Sequence, residues 1–236
     1  MLYYEHLTGP IRPEHLDDAL SLGYYRMAQM IHTDSVIMPA ENVLVPVYWL
    51  RIRLEGPEHS GTQRKALRWL AANFTIRRYQ GQLISAEVEA LYHDYKQTID
   101  FGHQATTARS YLMGLSTDNH YPTRTLLVRE RDTDRLVAVG YYDEGATANA
   151  GILNFYHPDY QKQSLGRAMY FLALRMAILE RKIFFYPGYI GRGFTRFDYK
   201  AQHISNPMEL YDMETGIWWP FNGDLEAYLA GMKGDL

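Results

Sequence analysis

Two rhythms of apolar and polar residues run along the chain, and the switches between them mark out its elements. Leu16 to Leu22 reads as a short helix entering Gly23, and Tyr24 to His32 reads as a strand. Val43 to Leu54 is rich in β-branched residues and alternates apolar with basic late in the run, as a half-buried strand does. Pro46 lacks an N–H, so it demands an edge or an irregularity there. Gly56-Pro57-Glu58-His59-Ser60-Gly61 has the composition of a loop and marks a boundary. Thr62 to Ala72 is helical, with Ala66, Leu67 and Leu70 on one side, and a second helix starts at Ser85 with Leu91, Tyr92 and Tyr95 on its inner face. Thr106 to Leu115 makes a third. Strands follow at Thr125–Glu130, Leu136–Tyr142 and Ala150–Tyr156, with a turn at Asp132–Asp134 and a break at His157-Pro158-Asp159. Ser164 to Glu180 is a long helix, apolar at Leu165, Met169, Leu172, Met176 and Leu179. Ile183–Tyr186 is a buried-type strand that Pro187-Gly188 ends, before a glycine-bearing loop at Gly191 and Gly193. This order predicts an α/β (α+β) fold with a mixed, mostly antiparallel sheet. We divide it into an N-terminal subdomain, 1–56, and a larger domain, 57–236.

Composition narrows the chemistry. The chain has no cysteine, which excludes disulfides, thiolate metal sites, iron–sulfur clusters and a thioester intermediate. No apolar run reaches membrane-spanning length, and the N-terminus has no signal-peptide pattern, so we expect a cytoplasmic protein with no membrane partner. His32 with Asp34, and His93 with Asp94, have no third group at ligand spacing, and no metal is expected. Tyrosine is over-used, at 20 copies, a residue suited to half-exposed packing and equally to stacking on bases and bonding to riboses. Net charge is −3, yet Lys162 to Lys200 carries +6 and the residues after it −5. A basic block inside an acidic chain suits one phosphate-rich ligand.

Within that block, Gln163-Ser164-Leu165-Gly166-Arg167-Ala168 opens the long helix after a strand. Unpaired amides at such a helix start attract anions. The pattern Q-x-x-G-x-A resembles the pyrophosphate loop of GNAT N-acyltransferases. Its neighbours sharpen the resemblance: Leu136-Val137-Ala138-Val139 with Asp143, Phe155-Tyr156-His157-Pro158-Asp159-Tyr160, Ser164-Leu165-Gly166, Tyr186-Pro187-Gly188-Tyr189-Ile190 and Tyr199-Lys200-Ala201. In order and spacing these resemble the C-terminal half of the arginyl-tRNA–protein transferases. Weaker matches, Gly23-Tyr24-Tyr25-Arg26 and Leu91-Tyr92-x-x-Tyr95-Lys96, extend it toward the N-terminus. There are departures: the family's N-terminal cysteines are missing around Asp34 to Val45, His157 replaces an Asp, Ala150 a Ser and Pro187 a Leu.

The resemblance implies a GNAT-like fold and transfer of Arg or Leu from charged tRNA to the N-terminal α-amine of an acceptor protein with an acidic first residue, in an N-degron pathway. It implies no cofactor beyond aminoacyl-tRNA as co-substrate. Carried onto this sequence, it points to Tyr189, Tyr156 and Lys200 for catalysis. It points to Gln163, Ser164, Leu165, Gly166, Arg167 and Arg192 for the tRNA phosphates, and to Arg196 and Arg26 for the acceptor carboxylate. The same loop would serve an acetyl-CoA-dependent GNAT enzyme, and the replaced positions leave open a relative that binds RNA or an N-terminus without catalysis.

Overall fold

A computed structural model describes residues 2–55, 60–99 and 105–232. Of the loop read at Gly56–Gly61, where the two predicted domains meet, residues 56–59 lie outside the described residues, and Ser60 and Gly61 cap and open the next helix. The chain opens with a three-stranded antiparallel sheet in the order β1 (Leu2–His6), β3 (Met30–Asp34), β2 (Tyr25–Met27), with α1 (Pro13–Ser21) between β1 and β2. The segment read as one strand from Tyr24 is thus a hairpin. Its turn has no Gly or Pro signal: Ala28 adopts φ +54°, and the Arg26 guanidinium donates to the Ala28 carbonyl at 2.7 Å. A side-chain bond from within the hairpin does what turn residues usually do.

The second sheet has nine strands. Its order is β12 (Ile217–Phe221), β11 (Met208–Asp212), β5 (Val43–Arg53), β10 (Phe184–Gly191), β9 (Ala148–Tyr156), β8 (Leu136–Glu144), β7 (Thr123–Glu130), β6 (Phe74–Gln80), and β4 (Val36–Ala40) pairs with β5. Pro46 sits opposite Val36 of β4, one residue before β5 begins its pairing with β10 at Val47. The division placed at residue 56 therefore does not separate two sheets. Only the part up to Asp34 forms a sheet of its own, because β5 bridges β10 and β11 in the middle of the large one.

Helices cover both faces. Successive residues of a strand point to opposite sides, and Leu126 and Tyr142 pack with α2 (Gly61–Asn73) and α5 (Leu165–Leu179), while Leu127 and Tyr141 pack with α3 (Ala86–Lys96) and α4 (Ala108–Met113). α5 is buried around most of its circumference, with Leu165, Met169 and Leu174 fully enclosed. Each such side chain stabilises the fold by about 1.5–3 kcal/mol. A last helix, α6 (Leu225–Met232), follows β12. The sheet is antiparallel except for one pair, β9 with β10, joined by the α5 crossover. That is the GNAT-like order, and it matters for function because the parallel pair is short.

Candidate active site

β9 and β10 pair at Phe184–Ala148, Phe185–Asn149 and Tyr186–Ala150, and then part. Both strands are bent at that point. β9 shifts register against β8 between the partners of Tyr141 and Tyr142, and β10 shifts against β5 between Phe185 and Gly188. Such bulges add local twist and turn a strand aside. Pro187 has no N–H for the ladder, and Gly188 at φ +91° takes a backbone conformation that a side chain would oppose. Here the sequence reading is corrected: Pro187-Gly188 does not end the strand but bends it, and β10 runs on to Gly191. The carbonyls left by the broken ladder are met from outside the pair. The Tyr25 hydroxyl lies 2.5 Å from Gly151 O and 2.8 Å from Tyr186 O, and its single proton is shared between them. Tyr25 is held by stacking on Trp49, 5.1 Å between centroids. The small N-terminal sheet thereby supplies the floor of a wedge whose walls are the C-terminal halves of β9 and β10.

Aromatic and basic side chains fill the walls. Tyr189, opposite Trp49 across β5 and β10, packs edge-on to both Trp49 and Phe197. Lys200 ends a 3₁₀ turn, Thr195–Lys200, and its Nζ donates to Tyr189 O at 2.9 Å while lying 5.0 Å and 4.7 Å from the centres of the Tyr189 and Phe197 rings. Gly188 keeps the approach open, since a Cβ there would stand 3.3 Å from Nζ. Burial lowers the Lys200 pKa to about 7, and no carboxylate offsets it. Tyr156, at the end of β9, lies on the start of α5, where a Cβ on Gly166 would come within 2.6 Å of its ring. Gly166 thus first serves to seat Tyr156. α3 and α4 bring Tyr95 and Tyr111: Tyr95 stands 5.5 Å from the Tyr156 ring, and the Tyr111 hydroxyl approaches Ile152 O at 3.5 Å. Burial raises the pKa of all these phenols, that of Tyr95 to about 12, so they stay protonated.

The remaining predicted residues divide. Gln163 is exposed and Ser164 is left-handed at φ +57° without a capping bond, so the first amides of α5 have no side-chain cap. Leu165 can offer only its amide, because its side chain is fully enclosed in the core. Arg167 reaches back to Ser164 Oγ at 3.4 Å. Arg192 sits past the end of β10 in a two-pronged pair with Glu226 of α6, both contacts 2.9 Å. Arg196 is exposed on the same 3₁₀ turn as Lys200. Arg26 does not face the wedge as an acceptor cation. It is 6% exposed, and its five N–H donors go to Ala28 O, Thr123 Oγ1, Asp143 Oδ1, Gln82 Oε1 and Leu112 O, leaving none for a substrate carboxylate. The +6 block is also split. Arg181 and Lys182 follow the C-terminus of α5, about 22 Å of helix away from Lys162 and Arg167. Tyr95 and Tyr111 are additions. Tyr95 stands inside a quoted motif, whereas Tyr111 has no local signal beyond the surplus of tyrosine.

Among the described residues no group of three His, Asp or Glu could hold a metal, and no helix is long and apolar enough to cross a membrane. The chain is 28% identical over 210 residues to the aspartate/glutamate leucyltransferase of Methylorubrum extorquens, covering 84% of this chain and 82% of that one. Its identity to the aspartate/glutamate leucyltransferase of Rhizobium leguminosarum is 25% over 213 residues, covering 84% and 78%. Among solved structures, L-PGS from Bacillus licheniformis aligns with a TM-score of 0.44 at 12% identity, covering 75% of this chain and 50% of that one. Residues 87–212, more than half the chain, with the whole of α5 and the β9 and β10 walls of the wedge, match the family described as arginine-tRNA-protein transferase, C terminus. The chain belongs to this family of acyltransferases, which take an aminoacyl group from tRNA to a protein.

Proposed function

We propose that the chain moves leucine, with arginine as the second choice, from charged tRNA to the α-amine of proteins beginning with Asp or Glu, as the tagging step of a cytoplasmic N-degron pathway. The observation that carries this reading is Lys200, half-buried at the mouth of the wedge with a pKa near 7. The reaction is aminolysis of an ester. An α-amine with a pKa near 8 is about one-tenth neutral at pH 7. Its nitrogen attacks the ester carbon, and the proton it sheds passes to the neutral Lys200 amine, whose basicity is matched to it. The same proton then serves the departing ribose oxygen. Tyr189 and Tyr156 hold the ester by their rings and protonated hydroxyls. The open start of α5, with Gln163, Ser164, the Leu165 and Gly166 amides and Arg167, takes phosphate. Arg192 joins them where phosphate displaces Glu226. Arg196, on the same 3₁₀ turn as Lys200, receives the acceptor carboxylate.

Leucine is preferred because the wedge walls are aromatic and because the curated relatives are named for leucyl transfer. The test is incubation with a pool of charged tRNAs and peptides differing only in residue one, read by mass spectrometry. A product heavier by one leucine on Asp- and Glu-led peptides is expected. Exclusive transfer of another amino acid, or equal transfer to neutral N-termini, overturns the corresponding part.

A further inference from the structure

The β9–β10 pair is braced twice at the point where it splits. On the outside, β5 flanks β10 and β8 flanks β9, and two successive residues of the small sheet reach both. The Tyr25 ring stacks on Trp49 of β5 at 5.1 Å between centroids, and Trp49 stands opposite Tyr189 of β10. Arg26 donates to Asp143 of β8 at 2.9 Å, and Asp143 stands opposite Ala150 of β9. On the inside, the Tyr25 hydroxyl lies between the Gly151 carbonyl of β9 and the Tyr186 carbonyl of β10, at 2.5 and 2.8 Å. Tyr186 with Ala150 is the last pair of the parallel ladder, and Pro187, next along β10, has no N–H to offer. Two carbonyl oxygens facing one point repel each other, and each is a buried acceptor that needs a donor. A hydroxyl between them meets both needs and fixes the gap. His32 Nδ1, 3.0 Å from the Tyr25 carbonyl, steadies the backbone that carries it. Burial raises the Tyr25 pKa well above the ordinary phenol value, so the shared proton stays in place.

We infer that Tyr25 is a positioning residue for aminoacyl transfer: its hydroxyl sets the width of the wedge where β9 and β10 part. Beyond that point β10 carries Tyr189, on whose carbonyl Lys200 is held, and β9 carries Tyr156. The gap at Tyr25 therefore sets the distance between the groups borne by the two walls. Tyr25 itself touches neither the ester nor the amine. The inference rests on the transfer reaction of the family and on the placing of the ester in the wedge.

The test is Tyr25→Phe in the full chain, which keeps the ring and its stacking and removes the one donor. Misplacement of reacting groups by about 1 Å costs up to about 100-fold in rate. We expect kcat to fall by roughly 10- to 100-fold, with KM for aminoacyl-tRNA unchanged, because phosphate is held at the start of α5 and not by the strands. Tyr141→Phe removes a comparable bond, from a buried hydroxyl to the Leu83 carbonyl at 2.6 Å. It should lower the thermal midpoint by a similar amount and leave kcat as it was. 4-Aminophenylalanine at position 25 presents two N–H groups, one for each carbonyl, and should restore turnover. An unchanged kcat in Tyr25→Phe, an equal fall in Tyr141→Phe, or no recovery with the amino analogue overturns the role of Tyr25. Should Tyr25→Phe fail to fold, Trp49→Phe keeps the hydroxyl and shrinks the surface on which its ring stacks. It should lower kcat several-fold at constant KM, and an unchanged kcat overturns the inference. Lys200→Met separates this inference from the reading it rests on. Turnover lost in Tyr25→Phe and kept in Lys200→Met leaves the brace standing and removes Lys200 as the base. The reverse result overturns the brace and leaves Lys200. A wild type that transfers no aminoacyl group overturns both.

Discussion

The two ends of the β9–β10 pair are built on opposite plans. At the start of the strands the ladder is intact and charge is matched. Glu180, just past α5, accepts from Arg78, from the Tyr142 hydroxyl at 2.8 Å and from Asn149 Nδ2 at 2.6 Å. Lys182 there donates to Gly145 O at 2.6 Å and stands 3.5 Å from Glu144. At the far end the ladder stops after three residues, and the cation present, Lys200, has a backbone carbonyl and two rings for neighbours. Both ends carry lysine beside tyrosine, so composition alone does not separate them. The difference lies in whether the backbone closes. Where it does, polar side chains complete each other; where it does not, they are left for a substrate.

The sharpest way to break this contrast is at Lys200. Lys200→Met should lower kcat by about 10²- to 10³-fold, the scale of a lost general base, with the fold retained. The wild-type kcat/KM should rise with pH through about 7 as Lys200 gives up its proton, and the variant should lack that limb. Stability gives an independent reading. The Lys200 pKa is lowered on folding from 10.5 to about 7, so between those values the unfolded chain binds the extra proton. Wild-type stability should therefore rise with pH across that window and lose the gain as pH falls to 7. Urea midpoints for Lys200→Met should be flatter over the same range, and identical pH slopes would exclude a depressed lysine.

The next effect belongs to the closed plan. Arg26→Met leaves Asp143 fully buried without its cation, a loss of about 3–5 kcal/mol. Asp143 already has its pKa raised by burial against the pull of Arg26. Denaturant titration should show the drop, while the ratio of Asp- to Asn-led peptide transfer in the surviving folded protein stays at the wild-type value. A changed ratio would return Arg26 to the acceptor site. The smallest effect is the complement. Arg196→Met should leave stability alone and reduce the Asp-over-Asn preference by roughly 10- to 100-fold, the discrimination worth one charge-assisted hydrogen bond of about 1.5–3 kcal/mol.

What the sequence disclosed follows the same line between local and distant causes. α5 and strands β7 to β9 were legible to within two or three residues, since their apolar rhythms are set by one face or one core layer. The Tyr24–His32 hairpin was not, because its turn depends on the Arg26 side chain and not on a turn residue. β6, β11, β12 and α6 went unread: in β6, Arg77, Arg78 and Tyr79 stand exposed at an edge and blur the alternation. At the site, motif order alone brought Tyr156, Tyr189 and Lys200 into view; Lys200 lies on Tyr189, while Tyr156 lies against the start of α5. Arg26 was misjudged because a lone arginine does not announce a partner 117 residues away. Tyr111 was hidden because the carbonyl its hydroxyl approaches lies 41 residues away, in β9.

The Tyr25 hydroxyl joins residues 126 and 161 positions apart in the chain. Closing loops of that length costs entropy before any contact repays it, so the wedge acquires its floor only once the β2 and β10 regions have both been placed. The order of synthesis makes this a late event, since Tyr25 emerges first and waits for Tyr186. It also means that the stretch matching the family profile, residues 87–212, holds the proposed catalytic side chains without the floor beneath them. A polypeptide cut to that stretch would carry the recognisable signature and still lack the keystone, so heredity of the motif and inheritance of a working cleft are separable in this lineage.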